Sequence, residues 1–449
     1  MKVAKFGGSS VANVVQIKKV ANIIKSDSSR KFVVVSAPGK RNNDDIKVTD
    51  LLLELGEAYL AEKPYEVYID RIMKRFEEII SGLKIPTFLL TEIKNSIQTI
   101  ISSDIIPEMK IESLKSVGED SSAKILSAYL NSTGIQAKYV NPRDAGIIVS
   151  NEPGNAQILP ESFSKIYSLR NENGILIIPG FFGYTIDGQL MTFSRGGSDI
   201  TGSIIAAGTK AELYENFTDV DSVYTVNPTI VENPKEITTL TYREMRELSY
   251  SGFSVFHDEA LIPAFKEKIP VCIKNTNNPD APGTMIVSER KPNANCVVGI
   301  ASDSGFCSLY VSKYLMNREL GFGRKLLSIL EDESISFEHA PSGIDDISVI
   351  MRKDQLSKDK EQTIMNRIKN ELKADTVSIN YGIALIMVVG EGMASTVGIA
   401  KQATKALAEA KVNIEMINQG SSEVSLMFGI QEEGLERAIQ SLYRTFFDS

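Results

Sequence analysis

The sequence predicts an α/β protein: a mostly parallel sheet covered by helices on both faces, followed by two small α+β modules. Three observations carry this reading. The opening stretch Lys2-Val3-Ala4-Lys5-Phe6-Gly7-Gly8-Ser9-Ser10-Val11 runs from an apolar strand through two glycines and two hydroxyl residues into a helical pattern, with Val14, Ile17, Val20, Ala21 and Ile24 on one face. The run Lys31-Phe32-Val33-Val34-Val35 is apolar without alternation, as in a parallel strand buried on both sides. The last third of the chain contains an internal repeat.

The opening turn suits an anion. Glycines let backbone N–H groups approach a ligand closely, a helix start favours negative charge, and Lys5 adds a full positive charge at the same mouth. The stretch lacks the Gly-x-x-x-x-Gly-Lys-Ser/Thr spacing of a Walker loop, and a plain tight turn remains open at this level. The strand from Lys31 ends at Ser36-Ala37-Pro38-Gly39, and Lys40 to Asp45 form a polar loop. A helix then starts near Lys47, capped by Thr49 or Asp50. Helical patterning continues from Leu51 to Ile106 with breaks at Pro64 and Pro86. Ser116-Val117-Gly118-Glu119 reads as a new helix start with Glu119 in its first turn, well placed to meet an ammonium group.

Further strands are expected at Gln136–Val140, Gly146–Val149 and Ile175–Pro179. Asp187-Gly188 between alternating runs marks a hairpin. It leads into Ser194-Arg195-Gly196-Gly197-Ser198-Asp199, a second glycine-and-hydroxyl corner ahead of a helix at Ser203–Gly208. Ala211–Phe217 is a buried strand ending in Thr218-Asp219-Val220-Asp221, on the side where open parallel sheets hold ligands. Helices follow near Tyr242–Leu248 and Ala260–Glu267, and Ile269–Lys274 is expected to be the last strand before a linker from Glu289 to Asn295.

In the repeat, Ile335–Val349 matches Val412–Leu426 at an offset of 77 residues, which also pairs Gly343 with Gly420 and Gly321 with Gly398. Each copy reads as βαββαβ. The first has its closing strand at Thr376–Asn380; the second lacks one. The orphan strand 296–301 is expected to fill that gap. The predicted division is therefore 1–290, 303–381, and 382–449 completed by 296–301.

The net charge of −8 argues against a general nucleic-acid surface, and no apolar run reaches the length of a membrane span. The N-terminus enters a strand rather than a signal peptide, so the cytoplasm is the expected location. Cys272, Cys296 and Cys307 have no C-x-x-C spacing and read as free thiols. Two histidines, His257 and His339, are too few for a histidine-based zinc site.

Lys5-Phe6-Gly7-Gly8-Ser9-Ser10-Val11, Gly118-Glu119, Arg195-Gly196-Gly197-Ser198-Asp199 and Thr218-Asp219-Val220-Asp221 together closely resemble the signature blocks of the aspartokinase family. The resemblance implies an amino acid kinase-like three-layer αβα sandwich followed by two ferredoxin-like ACT domains. It implies transfer of the ATP γ-phosphoryl group, with Mg²⁺, to the side-chain carboxylate of L-aspartate, the first step toward lysine, threonine and methionine. By resemblance Lys5, Gly7, Gly8 and Ser9 hold phosphates, and Asp199 fixes Lys5. Ser36, Thr49, Glu119, Arg195 and Ser198 contact aspartate, and Thr218, Asp219 and Tyr224 line the nucleotide pocket. For Ser36, Thr49 and Tyr224, roles as strand end, cap and core residue stay open. Metal ligands from the protein itself are not expected.

The ACT resemblance implies feedback by lysine or threonine and self-association as a dimer or tetramer. Glu338, Asp345 and Asp346 near the strand turn, with Met316, Phe322 and Ser336, suggest an effector site that favours the lysine ammonium. A chain ending after the repeats is expected for the form without an attached homoserine dehydrogenase. Thr229 stands where the family has an arginine, Asn277 where some members have a lysine, and His257-Asp258 where a His-Pro pair is usual.

Overall fold

Apolar runs too short for helices and too uniform for a half-exposed sheet form the centre of the first unit. The computed structural model describes residues 1–253, 259–290, 296–420 and 424–448. The turn expected at His257-Asp258 and the linker residues 291–295 lie outside them. The chain divides into two compact units, one of Met1–Val223, Glu236–Arg246 and Val255–Arg290, the other of Tyr224–Lys235, Glu247–Ser254 and Lys291–Ser449. Two segments numbered below 290 thus cluster with the second unit.

The first unit holds an eight-stranded sheet. Its order is Thr239–Thr241, Thr284–Val287, Val271–Asn275, Leu213–Thr218, Lys2–Phe6, Arg30–Val35, Ile175–Pro179 and Ala137–Tyr139. The last six of these run parallel. Helices Val14–Ser26, Val48–Leu60, Glu66–Leu83, Phe88–Ser102 and Pro107–Ser132 pack with Ala4, Phe6, Val33 and Val35 into one large core. Phe6 and Phe217, both fully buried, stack at 4.8 Å between centroids. Burying each such ring contributes roughly 1.5–3 kcal/mol.

Several local expectations are corrected. Glu119 lies in the middle of a continuous helix, Pro107–Ser132, not at a helix start. The glycine before it serves close packing: a Cβ on Gly118 would lie 2.6 Å from the Ala37 Cβ. The helix after Pro38-Gly39 begins at Val48 with Lys47 as its N-cap, so Thr49 and Asp50 belong to its first turn. The helix behind Arg195 starts at Gly197 rather than Ser203. Residues 146–149 make only isolated bridges, Ile148 to Tyr184 and Val149 to Ile158. Val271–Asn275 is followed by one more strand, Thr284–Val287, antiparallel to it. Thr284, fully buried, ties that strand down by donating its hydroxyl to the Ile237 carbonyl at 2.6 Å.

In the second unit a five-stranded antiparallel sheet runs Asp346–Arg352, Gly299–Ser312, Thr376–Val389, Ser425–Gln431, Met416–Asn418. The two 14-residue strands serve both repeats. Phe306–Ser312 and Thr376–Ile383 pair in the first repeat. Gly299, Ile300 and Ala301 pair with Val389, Val388 and Met387 at the start of the second. The register shifts between Asp303 and Phe306, where one repeat gives way to the other. Each repeat has its own apolar core, one around Leu309, Leu326 and Ile368, the other around Ile386, Leu407 and Phe428.

Candidate active site

The parallel strands of the first unit deliver their carboxyl ends to one rim, and Lys5 lies there. Lys5, 6% exposed near the end of its strand, places its ammonium 2.6 Å from Asp199 Oδ1. Asn216 Nδ2 donates to the same oxygen at 2.5 Å, so Asp199 is held from two sides. Asp199 lies in the first turn of helix Gly197–Thr209, where a carboxylate is favoured by the helix dipole. The salt bridge therefore ties the first glycine corner to the second.

Behind Lys5 the chain turns at Gly7 and Gly8. Gly39 crosses this turn in backbone contact: its N–H donates to the Gly8 carbonyl at 2.9 Å, and a Cβ on Gly39 would lie 2.7 Å from the Gly8 carbonyl carbon. A side chain at Gly39 would push the two loops apart. They enclose a cleft of about 620 Å³, lined among others by Gly8, Ser9, Ser36, Thr49, Glu119 and Asp219. That size lies within the range of small-molecule sites.

Glu119 is the chemical centre of the cleft. It is 4% exposed, and its Oε2 has no hydrogen-bond partner among the described residues. Burial pushes its carboxyl up to about 8, opposed by hydrogen bonding to the Ala37 backbone and to its own. An unpartnered buried acid costs free energy that a cation would recover.

Other expected residues lie nearby in the chain but outside the cleft lining. Ser198 is buried against Gly180, whose Cβ, if present, would lie 2.6 Å from Ser198 Oγ. Arg195 is exposed, one turn ahead of Asp199. Thr218 donates its hydroxyl to Asp219 Oδ1 at 3.2 Å. Tyr224 clusters with the second unit rather than with these residues. Asn277 accepts hydrogen bonds from Gln16 Nε2 at 3.0 Å and Lys19 Nζ at 2.8 Å, so a lysine ammonium does reach this position, from the first helix. Thr229 donates to Asn227 within its own turn.

The expected effector residues separate into two groups. Met316 and Phe322 are buried in the core of the first repeat. Asp345 accepts the Leu315 N–H at 2.8 Å and so shapes the turn before them. Ser336, exposed, bonds Gln355, and Glu338, half-buried, accepts the Tyr250 hydroxyl. Of these polar residues Ser336 is exposed, and Asp345 and Glu338 are both half-buried.

Residue-by-residue reading of the sequence missed two features of the rim. Lys40 and Lys47 line the cleft, although Lys40 reads only as part of a polar loop and Lys47 only as a helix start. Phe181 holds a φ of 78°, a rare conformation for a side-chain-bearing residue, with its N–H donating to Thr201 Oγ1 at 3.0 Å. Such strain gathers at functional sites. The pair Gly180-Phe181 ahead of the hairpin was the available signal.

Sheet, corners and cleft together define an α/β protein with a small-molecule cleft at the carboxyl ends of its parallel strands. Residues 1–275 match the model of the amino acid kinase family, and residues 386–446 match that of the ACT domain. The chain is 56% identical to aspartokinase 3 of Bacillus subtilis (strain 168) over 448 residues, covering 100% of this chain and 99% of that one. It is 30% identical to the chloroplastic aspartokinase 1 of Arabidopsis thaliana, covering 100% of this chain and 80% of that protein. The crystal structure of Clostridium acetobutylicum aspartate kinase superposes with a TM-score of 0.88 at 40% identity, covering 99% of this chain and 100% of that one. The E. coli aspartokinase III complex with aspartate and ADP shares the fold, with a TM-score of 0.82 at 24% identity over the full length of both chains. The chain belongs to the amino acid kinase family and, within it, to the aspartokinases. No helix among the described residues is long and apolar enough to cross a membrane.

Proposed function

We propose that the protein transfers the γ-phosphoryl group of ATP to the side-chain carboxylate of L-aspartate, giving 4-phospho-L-aspartate and ADP. One observation carries the reading most directly: buried Glu119, whose Oε2 has no hydrogen-bond partner among the described residues, lines the same cleft as Gly8 and Ser9. A cation-seeking acid and an anion-seeking glycine turn in one cavity fit a substrate with an ammonium group beside a polyphosphate.

In this reading Lys5 and the backbone of Gly7, Gly8 and Ser9 hold the phosphates, and Asp199 keeps Lys5 oriented at 2.6 Å. Glu119 takes the substrate ammonium, Arg195 grips the α-carboxylate bidentately, and Ser36, Thr49 and Ser198 position the acceptor. Thr218 and Asp219 face the nucleotide. A substrate carboxylate oxygen attacks the γ-phosphorus, the bond to the bridging β–γ oxygen breaks, and that oxygen leaves on ADP. The attacking carboxylate is already ionised at neutral pH, so no general base is needed. Catalysis is positioning and charge neutralisation.

No cluster of three metal-ligating side chains forms among the described residues. A Mg²⁺ ion would fit here as a companion of the nucleotide, with Asp219, one of the two carboxylates lining the cleft (Glu119 is the other), as the protein group available to it. When bound it supplies neutralising charge. The ACT repeats are the site of feedback, lysine being the effector favoured by Glu338, with self-association through the same domains. The location is cytoplasmic in this reading.

The test is a coupled assay of ADP release with aspartate, with glutamate and with no acceptor. Release driven by aspartate alone is expected. Equal release with glutamate would reassign the acceptor, and release without acceptor would reduce the protein to an ATPase.

A further inference from the structure

The loop from Lys40 to Lys47 forms one wall of the cleft, and its charges are arranged unevenly. Arg41 is engaged: its Nε meets Asp45 Oδ2 at 2.9 Å and its Nη1 meets Glu78 at 2.6 Å. Lys40 and Lys47 line the same cavity, are exposed, and make no ion pair among the described residues. The two lysines thus carry the wall's uncommitted positive charge, facing Gly8, Ser9 and Thr49.

The loop is fastened from beneath by Arg75 on helix Glu66–Leu83. This guanidinium is 4% exposed. Its Nη1 donates to Asp45 Oδ2 at 2.6 Å and to the Ile46 carbonyl at 3.2 Å. Its Nη2 donates to the carbonyls of Gly39 at 2.8 Å and Ala12 at 3.3 Å. One side chain therefore grips the residue before Lys40, the residue before Lys47, and the chain just past the phosphate turn. Only a planar fork of donors can make all four contacts.

We propose that Lys40 and Lys47 bind anionic oxygens of the reactants in the cleft, and that Arg75 is the positioning residue that holds both lysines against the glycine turn. This rests on the kinase reading above. Lys40 follows Gly39, whose backbone lies on Gly8, so the nucleotide phosphates are the first candidate anion and the aspartate carboxylates the second.

The experiment uses the full chain with ATP and aspartate. The double variant Lys40→Ala, Lys47→Ala is expected to raise the KM of an anionic substrate about tenfold with kcat little changed, and to flatten its dependence on salt. A rise confined to ATP assigns the phosphates; a rise confined to aspartate assigns the acceptor. Unchanged KM for both overturns the proposal. Arg75→Lys is expected to raise the same KM in the native background and to add nothing in the double variant. An equal further rise in the double variant would mean that Arg75 supports the fold rather than the lysines. Should Arg75→Lys fail to fold, Asp45→Asn loosens the same loop while leaving the carbonyl contacts of Arg75, and the same non-additivity decides. Wild-type protein that phosphorylates no acceptor would sink the kinase reading itself, an outcome distinct from failure of the lysine variants.

Discussion

At the residue scale Glu119 is the most informative side chain, because its burial bears on its protonation and, in the proposed reading, on the ligand it takes. Burial raises its carboxyl from 4.5 to about 8 in the folded protein. The folded state therefore holds this proton more tightly than the unfolded chain. The resulting contribution to stability is complete below about pH 4.5 and disappears as pH rises through about 8. Glu119→Gln should flatten this dependence, so that thermal denaturation across pH 5 to 8 shifts less in the variant than in the native protein. Aspartate binding should act on the same proton: its ammonium favours the ionised acid, so close to one proton is released per site near pH 7. Calorimetry in two buffers of different ionisation enthalpy reads that release directly. Equal heats in both buffers would remove Glu119 from the ammonium site.

Individual elements were legible to different degrees, for physical reasons. The strand-turn-helix at Lys2–Ser26 was plain because apolar run, glycines and helical period are all local. The position of Glu119 was not, because Gly118 looks like punctuation in a sequence and only its contact with Ala37 reveals a packing role. The strand Thr284–Val287 was hidden because four residues after a turn cluster acquire their identity from a partner 11 to 15 positions away. The cleft lysines were missed because a polar loop, which holds Lys40, has no period, and a helix start, which holds Lys47, says nothing of what it faces. The pairing of Lys5 with Asp199 follows from family blocks and not from spacing; in the fold the two groups meet at 2.6 Å. The parallel strands themselves depend on a buried pair. Arg30 and Glu215, on strands flanking Lys2–Phe6, meet bidentately at 2.6 and 3.0 Å, both nearly inaccessible. Removing one partner strands the other charge in low dielectric, so Glu215→Leu should cost about 3–5 kcal/mol. Adding Arg30→Met should restore most of it. Denaturant midpoints of the single and double variants measure this, and additive losses would show that packing, not charge, holds the site.

At the scale of the whole molecule, the eight-stranded sheet and the ACT repeats lie in separate units of one chain, and thermodynamics constrains any coupling between the activities proposed for them. If lysine acts through the ACT repeats, it must bind one state of the protein better than another, since equal affinity for both shifts nothing. Any factor by which lysine weakens aspartate binding is then the factor by which aspartate weakens lysine binding. Typical couplings of about 1–3 kcal/mol make this roughly 5- to 150-fold, easily read. Equilibrium titration of lysine should thus move to higher concentration when aspartate and a non-hydrolysable nucleotide are present, by the ratio found in the reverse titration. Glu338→Gln should lower lysine affinity by removing a carboxylate, while kcat without lysine stays at the native level. Inhibition that persists unchanged in this variant would place the ammonium elsewhere. Threonine inhibiting at concentrations where lysine has no effect would replace the effector without disturbing the reciprocity, because that follows from linkage and not from which amino acid is bound.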